Sequence, residues 1–288
     1  MKILHINSYF STSKFYKNFF DEQMNSKMEL NVYVPVAKTY QLQDFEFGEY
    51  TKVKKIFNEF DRYVYFYKQY KIIHDIEKEY NIKNMSLIHA HSLFTNGYAA
   101  LKMYKKYNIP YIVAVRDTDL NLFFKKMFFL RGIGLEILKS AKNIIVLSKP
   151  YKDQLLEKYI PAKEKDEIER KISILPNGID KFWLENKYMP KTIGQKTHIK
   201  LIQVGEVSKR KNQLTSLEVV KKLNSMQGKF YFTLTIVGKI KDNKILSRLQ
   251  KSEYVTYFPH VNKERLLNLY REHDIFIMPS TTETFGLV

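Results

Sequence analysis

Cysteine is absent from the 288-residue chain, which excludes a disulfide framework and any thiolate metal site. No apolar run approaches the roughly 18–20 residues of a membrane-spanning helix. The opening stretch 1–6 turns polar at Asn7 and Ser8, too soon for the apolar core of a signal peptide. The expectation is a cytoplasmic protein, free or held peripherally at the inner face of the membrane. No internal repeat or low-complexity tract stands out. Acidic residues are scarce: 30 Asp and Glu face 48 Lys and Arg, a formal charge of +18. Such an excess suggests an anionic partner, whether nucleic acid, an anionic membrane face or a phosphorylated substrate. Lysine is spread along the whole chain, however, and Asn, Ile and Tyr are also abundant, so compositional drift explains the charge as well. With no nucleic-acid-binding motif in the sequence, nucleic acid is not expected as a partner.

What is present is enough apolar residue, 44%, for a sizeable core, and length for about two domains at ~150 residues each. Short apolar strands alternate with amphipathic stretches. Residues 2–6 read as a strand, followed by a loop over 7–13 and a helix from about Lys14. Asn31–Val36 reads as a strand ended by Pro35. From Thr51 to Tyr80, Val53, Ile56, Phe57, Phe60, Tyr63, Val64 and Tyr67 recur at the spacing of one helix face. Its opposite side carries Lys52, Lys54, Lys55, Lys68 and Lys71. Core packing and a basic amphipathic helix lying on a membrane are both compatible with that pattern. Ser86–His91 and Tyr111–Val115 are further strands. His89 and His91 point the same way on the first of these. No third ligand is visible nearby, so a metal is not expected there.

Arg116, Asp117 and Asp119 follow the strand at 111–115. A helix N-cap by either aspartate competes with a metal-binding D-x-D reading. Residues 120–130 interleave Phe123, Phe124, Phe128, Phe129 and Met127 with Lys125 and Lys126, and Arg131 follows. Apolar bulk beside positive charge fits an anionic lipid interface, although burial in a cleft fits equally. Asn143–Leu147 and Ile172–Leu175 are strands, the latter broken by Pro176, with Asn177-Gly178 supplying a tight turn. After a stretch of little apolar period over 183–198, the pattern restarts. Ile199–Val204 is a strand, 205–212 a loop rich in cations, and a helix follows, with Lys211 expected at its start. Phe232–Gly238, Tyr254–Pro259, Lys263–Tyr270 and Asp274–Met278 complete the alternation, which argues for parallel sheets. Pro279 and Ser280 end the last strand, Glu283 follows, and Gly286 stands where a helix would begin. The carboxyl end of such a strand is where open α/β sheets bind ligands, and a helix start there would favour an anion.

Three stretches carry a family resemblance. Pro279-Ser280-Thr281-Thr282-Glu283-Thr284-Phe285-Gly286 resembles the P-S-x-x-E-x-F-G signature of the family 4 retaining glycosyltransferases, which have the GT-B fold. Leu175-Pro176-Asn177-Gly178-Ile179-Asp180 resembles that family's I-P-N-G-I/V-D, and Gly205 with Lys211 resembles its glycine loop followed by Lys. The resemblance implies two Rossmann-like α/β domains facing a cleft: an acceptor domain over 1–182, a linker over 183–198 and a nucleotide-sugar domain over 199–288. It implies retaining transfer of a sugar from a nucleotide-diphosphate sugar, most directly a UDP-sugar. The acceptor would be a saccharide or a lipid-linked molecule in cell-surface polysaccharide synthesis. No cofactor or metal is expected, the nucleotide-sugar being a substrate. A GT-B nucleotide-sugar epimerase, sharing fold and donor, is the rival reading, and a basic nucleic-acid-binding protein a more distant one.

The resemblance also places the site. Glu283, Arg116 and Asp117 are the catalytic candidates. Gly205, Arg210, Lys211, Gly238, Thr284, Phe285 and Gly286 are the donor-binding ones. His91, Phe123, Phe124, Lys125 and Lys126 face the acceptor or a membrane. Four departures from the family pattern stand out: no glycine in the loop 7–13, Arg116 where many members have His, Glu206 where many have Arg, and His260 in place of the usual Gly. The family's second Glu, eight positions after Glu283, would fall beyond Val288. The C-terminal domain is therefore expected to be incomplete.

Overall fold

The computed structural model describes all residues except 14, 27, 42–45, 189–196, 229–230 and 284–288. The chain divides into two compact units, Met1–Asp180 and Lys181–Val288.

The first unit contains β1 (Lys2–Ile6), α1 (Phe15–Asn25), β2 (Glu29–Ala37), β3 (Thr51–Phe57), α2 (Tyr65–Glu79), β4 (Leu87–Ala90) and α3 (Gly97–Tyr107). It continues with β5 (Tyr111–Val115), α4 (Arg131–Ser140), β6 (Asn143–Val146), α5 (Lys149–Lys158), α6 (Ala162–Arg170) and β7 (Ile172–Ile174). The strands form one parallel sheet in the order β3-β2-β1-β4-β5-β6-β7. A large apolar core built on Leu4, Ile88, Val113 and Ile144 packs with Ile72 of α2, Leu101 of α3 and Ile137 of α4. A smaller core joins Ile3, Val32 and Val34 to Tyr16 and Phe20 of α1. The strand order reverses between β1 and β4, so the loops after β1, β4 and β5 meet at a topological switch point, the usual ligand position of such sheets.

Two sequence expectations need correction here. Residues 51–57 are not the start of a long helix but the edge strand β3, paired with β2. Val53, Ile56 and Phe57 fit either period over so short a span, and the tertiary pairing decides. An edge strand tolerates Lys52, Lys54 and Lys55, and charges there discourage further strand addition. Lys52 and Lys54 both bridge Glu79 at the end of α2. Nor does Pro35 end β2, which runs to Ala37 with a register shift between Val36 and Ala37.

The second unit contains α7 (Lys181–Glu185), β8 (Ile199–Val204), α8 (Gln213–Gln227), β9 (Phe232–Val237), α9 (Asn243–Gln250), β10 (Val255–Phe258), α10 (Lys263–Glu272) and β11 (Ile275–Phe276). The start of the stretch read as linker thus lies in a short helix, with Trp183 edge-on to Tyr270 of α10. The four strands are parallel in the order β10-β9-β8-β11. Leu201, Leu234 and Ile236 of the sheet pack with Leu217 and Val220 of α8 and Leu249 of α9. Here the order reverses between β8 and β11. The loop after β8 and the loop after β11 therefore flank the switch point of this sheet.

Candidate functional site

In the second unit the sequence-predicted donor residues converge. β8 ends at Gly205, whose φ of +143° is a conformation that side chains rarely adopt. β9 ends at Gly238, φ +156°, lying so close to Gly205 that a Cβ there would meet the Gly205 carbonyl oxygen at 2.0 Å. The missing side chains let the two turns touch. They also open room for Lys211: its side chain lies over Gly205, with Cε 3.1 Å from where a Cβ would stand. Lys211 does not begin the helix, as the sequence suggested. It closes a single turn over Lys209–Lys211, and Asn212, left-handed at φ +58°, separates that turn from α8. Asn212 Nδ2 donates to the Pro279 carbonyl at 3.2 Å, and Thr281 N donates to the Arg210 carbonyl at 2.9 Å. The loops after β8 and β11 are thereby tied together.

The result is a compact charge cluster. Lys211 Nζ stands 2.5 Å from Glu283 Oε1, and Arg210 Nη1 lies 3.2 Å from the same oxygen. Lys211 is only 7% exposed. Burial alone would push the Glu283 carboxyl up, but the hydrogen bond from Lys211 and the positive charges of Lys211 and Arg210 hold it below its ordinary value, so it is ionised at neutral pH. Glu206 accepts longer ion pairs from Arg210 at 3.6 Å and Lys241 at 3.5 Å. It therefore balances cations rather than serving as one. Three cations meet two carboxylates, a residual positive charge at the strand ends. Beneath it, sequence reasoning missed a buried amide network. Gln203 Nε2 donates to the Lys211 carbonyl at 2.7 Å, Gln213 Nε2 to the Glu206 carbonyl at 2.8 Å, and Ser216 Oγ to Gln203 Oε1 at 2.7 Å. A polar residue inside a strand, Gln203, was the available signal, since buried polar groups need partners. Thr284, Phe285 and Gly286 lie outside the described residues.

In the first unit, Arg116, Asp117 and His91 come together at the carboxyl ends of β4 and β5. Arg116 Nε donates to the His91 carbonyl at 3.0 Å. Asp117 Oδ1 accepts from Tyr151 Oη at 2.7 Å and Asn121 Nδ2 at 2.7 Å, which fixes its carboxylate. Asp119 is neither a helix cap nor placed as a metal ligand. It is fully buried and accepts the backbone N–H groups of Leu93, Phe94 and Arg116 at 2.8–3.0 Å. This pins the loop after β4 to the loop after β5, although burial still lifts its pKa to about 6.

The ground for dismissing a metal at His89 and His91 also changes. His5 on β1 pairs in register with His89, and the ring nitrogens of His5, His89 and His91 all lie within 4.8 Å of one another. The residue that completes the trio is 84 positions away in sequence, beyond the reach of a local spacing argument. The rings of His89 and His91 stack at 4.0 Å with planes 22° apart, and His5 Nδ1 and His91 Nε2 share a hydrogen bond at 3.1 Å. All three are buried, and burial pushes each imidazole pKa down, that of His89 to about 3. They are neutral at physiological pH.

The aromatic basic segment divides. Phe124 is wholly buried and packs on Phe94 and Tyr159, which removes it from any acceptor or membrane face. Phe123 is half-buried against Phe94. The open apolar groups are Leu122, Phe128 and Phe129, beside exposed Lys125, Lys126 and Arg131. Among the described residues, no helix is long and apolar enough to cross a membrane.

Comparison with known proteins agrees with this architecture. Residues 185–288 match the family model for glycosyl transferases group 1. A D-inositol 3-phosphate glycosyltransferase of Arthrobacter sp. (strain FB24) is 26% identical over 129 residues, 41% of this chain and 30% of that protein. The chain thus spans less than a third of that curated relative. A glycosyltransferase from Rickettsia africae superposes with a TM-score of 0.59 at 14% identity, over 98% of this chain and 74% of the other. An E. coli trehalose-6-phosphate structure bound with UDP-2-fluoro glucose superposes with a TM-score of 0.67 at 9% identity, over 100% and 80%. At such identities the two structures establish a shared fold, the GT-B architecture of paired parallel α/β sheets. The family model of Glycosyltransferase Family 4 matches residues 27–181, more than half of the sequence, and the chain belongs to that family.

Proposed function

We propose that this chain transfers a sugar from a nucleotide-diphosphate sugar to a saccharide or lipid-linked acceptor, with retention at the anomeric carbon. The observation that carries the reading is the Lys211–Glu283 pair at the touching glycine turns, at the switch point of the second sheet. Breaking the sugar–phosphate bond leaves negative charge on the diphosphate. Lys211 and Arg210 are fixed in place to stabilise it, the electrostatic effect that dominates many enzyme rate accelerations. Glu283, ionised and held by both cations, offers its acceptor oxygens to hydroxyls of the sugar. No step of this scheme requires a metal. A relative solved with UDP-2-fluoro glucose supports UDP as the carrier. The acceptor belongs to the first unit, around Arg116 and His91, and synthesis of a cell-surface polysaccharide suits such an enzyme. Turnover with a panel of nucleotide-sugars and candidate acceptors, read as nucleotide release, tests the proposal. Release from one UDP-sugar, retained in EDTA, is expected. Inversion of the donor sugar without nucleotide release would instead identify an epimerase.

The exposed rings Phe128 and Phe129, flanked by Lys125, Lys126 and Arg131, also suit docking at an anionic membrane. Sedimentation with vesicles should show binding to anionic lipid that weakens as salt rises. Equal partition to neutral and anionic vesicles would argue against this role.

A further inference from the structure

Arg116 borders a cavity of about 90 Å³ in the first unit. It is lined by His89 and His91, by Tyr16 and Phe19 of α1, and by Asn177 and Gly178. No carboxylate lines it. Arg116 is half-buried, and its Nε is spent on the His91 carbonyl. Among the described residues, its two terminal nitrogens have no acceptor and it forms no ion pair. The neighbouring aspartates are engaged elsewhere: Asp119 with three backbone N–H groups, Asp117 with Tyr151 and Asn121. The three imidazoles beside it carry no charge that could serve in place of the guanidinium. A guanidinium keeps its charge in any protein setting and presents a planar fork matched to carboxylate and phosphate. Half-buried and unpaired, it is short of the charge-assisted bonds that such a group favours.

From this geometry we infer that the cavity is an oxyanion subsite: Arg116 binds a carboxylate or phosphate carried by the acceptor sugar. The inference rests on the transferase reading above and specifies its acceptor. The cavity is smaller than the roughly 150 Å³ of one that admits benzene. It therefore takes a small charged group, while the sugar ring stays outside, by the more open Asn177 and Gly178. Arg116 is thus a binding residue for the acceptor's charge, and its replacement of the usual family His changes what is recognised.

Calorimetric titration of the intact chain with glucose 6-phosphate, glucuronate, glucose and inorganic phosphate tests the assignment. At least one charged sugar should bind about tenfold or more tighter than glucose, as one charge-assisted contact allows. The better of the two identifies phosphate or carboxylate as the natural group. Arg116→Gln should abolish the preference and Arg116→Lys should restore part of it, with UDP affinity unchanged in both. Equal binding of glucose and its charged relatives by the unaltered chain would overturn the inference, whatever the folding of the variants. So would a preference that survives Arg116→Gln, or one that disappears in Lys211→Ala and so belongs to the second unit. Charged-sugar binding without any UDP binding would leave this subsite standing and defeat the transferase reading instead.

Discussion

Lys211→Ala is expected to weaken UDP binding by about 1.5–3 kcal/mol, roughly tenfold to a hundredfold, the worth of a hydrogen bond to a charged group. The structure gives reasons to expect the upper half of that range. Lys211 is nearly buried, so its charge is screened by protein rather than by water. Its position is set from several sides: Gly205 beneath the stem, Gln203 on its carbonyl, Glu283 on its ammonium. A pre-positioned cation loses little freedom on binding. Its removal also leaves Glu283 with Arg210 alone, and the residual positive charge of the cluster falls to zero. An incoming diphosphate would then meet a cluster with no net positive charge. Calorimetric titration of UDP into the unaltered and substituted chains measures the effect, and equal affinities would remove Lys211 from the site.

Gly238→Ala should be the most damaging conservative change in the second unit. The added Cβ would stand 2.0 Å from the Gly205 oxygen and 2.5 Å from its carbon, both backbone atoms that cannot swing aside. The φ of +156° adds strain. Together, backbone strain and overpacking suggest a loss of about 3–5 kcal/mol, a large share of the stability of an ordinary domain. The contact also lies between the turns that carry the site, so whatever folds should have lost the seat of Lys211. Gly132→Ala makes the control. Gly132 lies in α4 with nothing within 4 Å of the new atom, and alanine in a helix should stabilise by about 0.5–1 kcal/mol. Urea unfolding of both variants should give opposite signs. A Gly238→Ala chain as stable as the unaltered one would mean that the turns do not touch as described.

The sequence was most legible where chemistry depends on residues close together along the chain. The alternation of strands and helices could be read from local pattern, and the glycine turn at 205, the cations at 210 and 211 and the carboxylate at 283 from short motifs that resemble the family's. What escaped depends on contacts made across the fold. Residues 51–57 satisfy helix and strand periods alike, and only pairing with β2 settles them. Phe124 and Phe128 are equivalent in sequence, yet one fills the core beside Phe94 and the other stands in solvent, because an irregular turn over Asp119–Phe124 sets the phase. His5 joins His89 and His91 through strand register alone. Asp119, read as a cap or a metal ligand, proves to be a tie between two loops, a role that requires knowing which backbone N–H groups lie across the switch point. Lys211 was assigned to a helix start, whereas the left-handed Asn212 places it one turn earlier.

The account's central claim is that the loop 205–211 and Glu283 form a diphosphate site. Titrating UDP and uridine separately into the intact chain, in the presence of EDTA, tests it most directly. The account predicts that UDP binds at least about tenfold tighter than uridine, and that the difference largely disappears in Lys211→Ala. Uridine binding as tightly as UDP, or UDP binding only after a divalent metal is added, would contradict it.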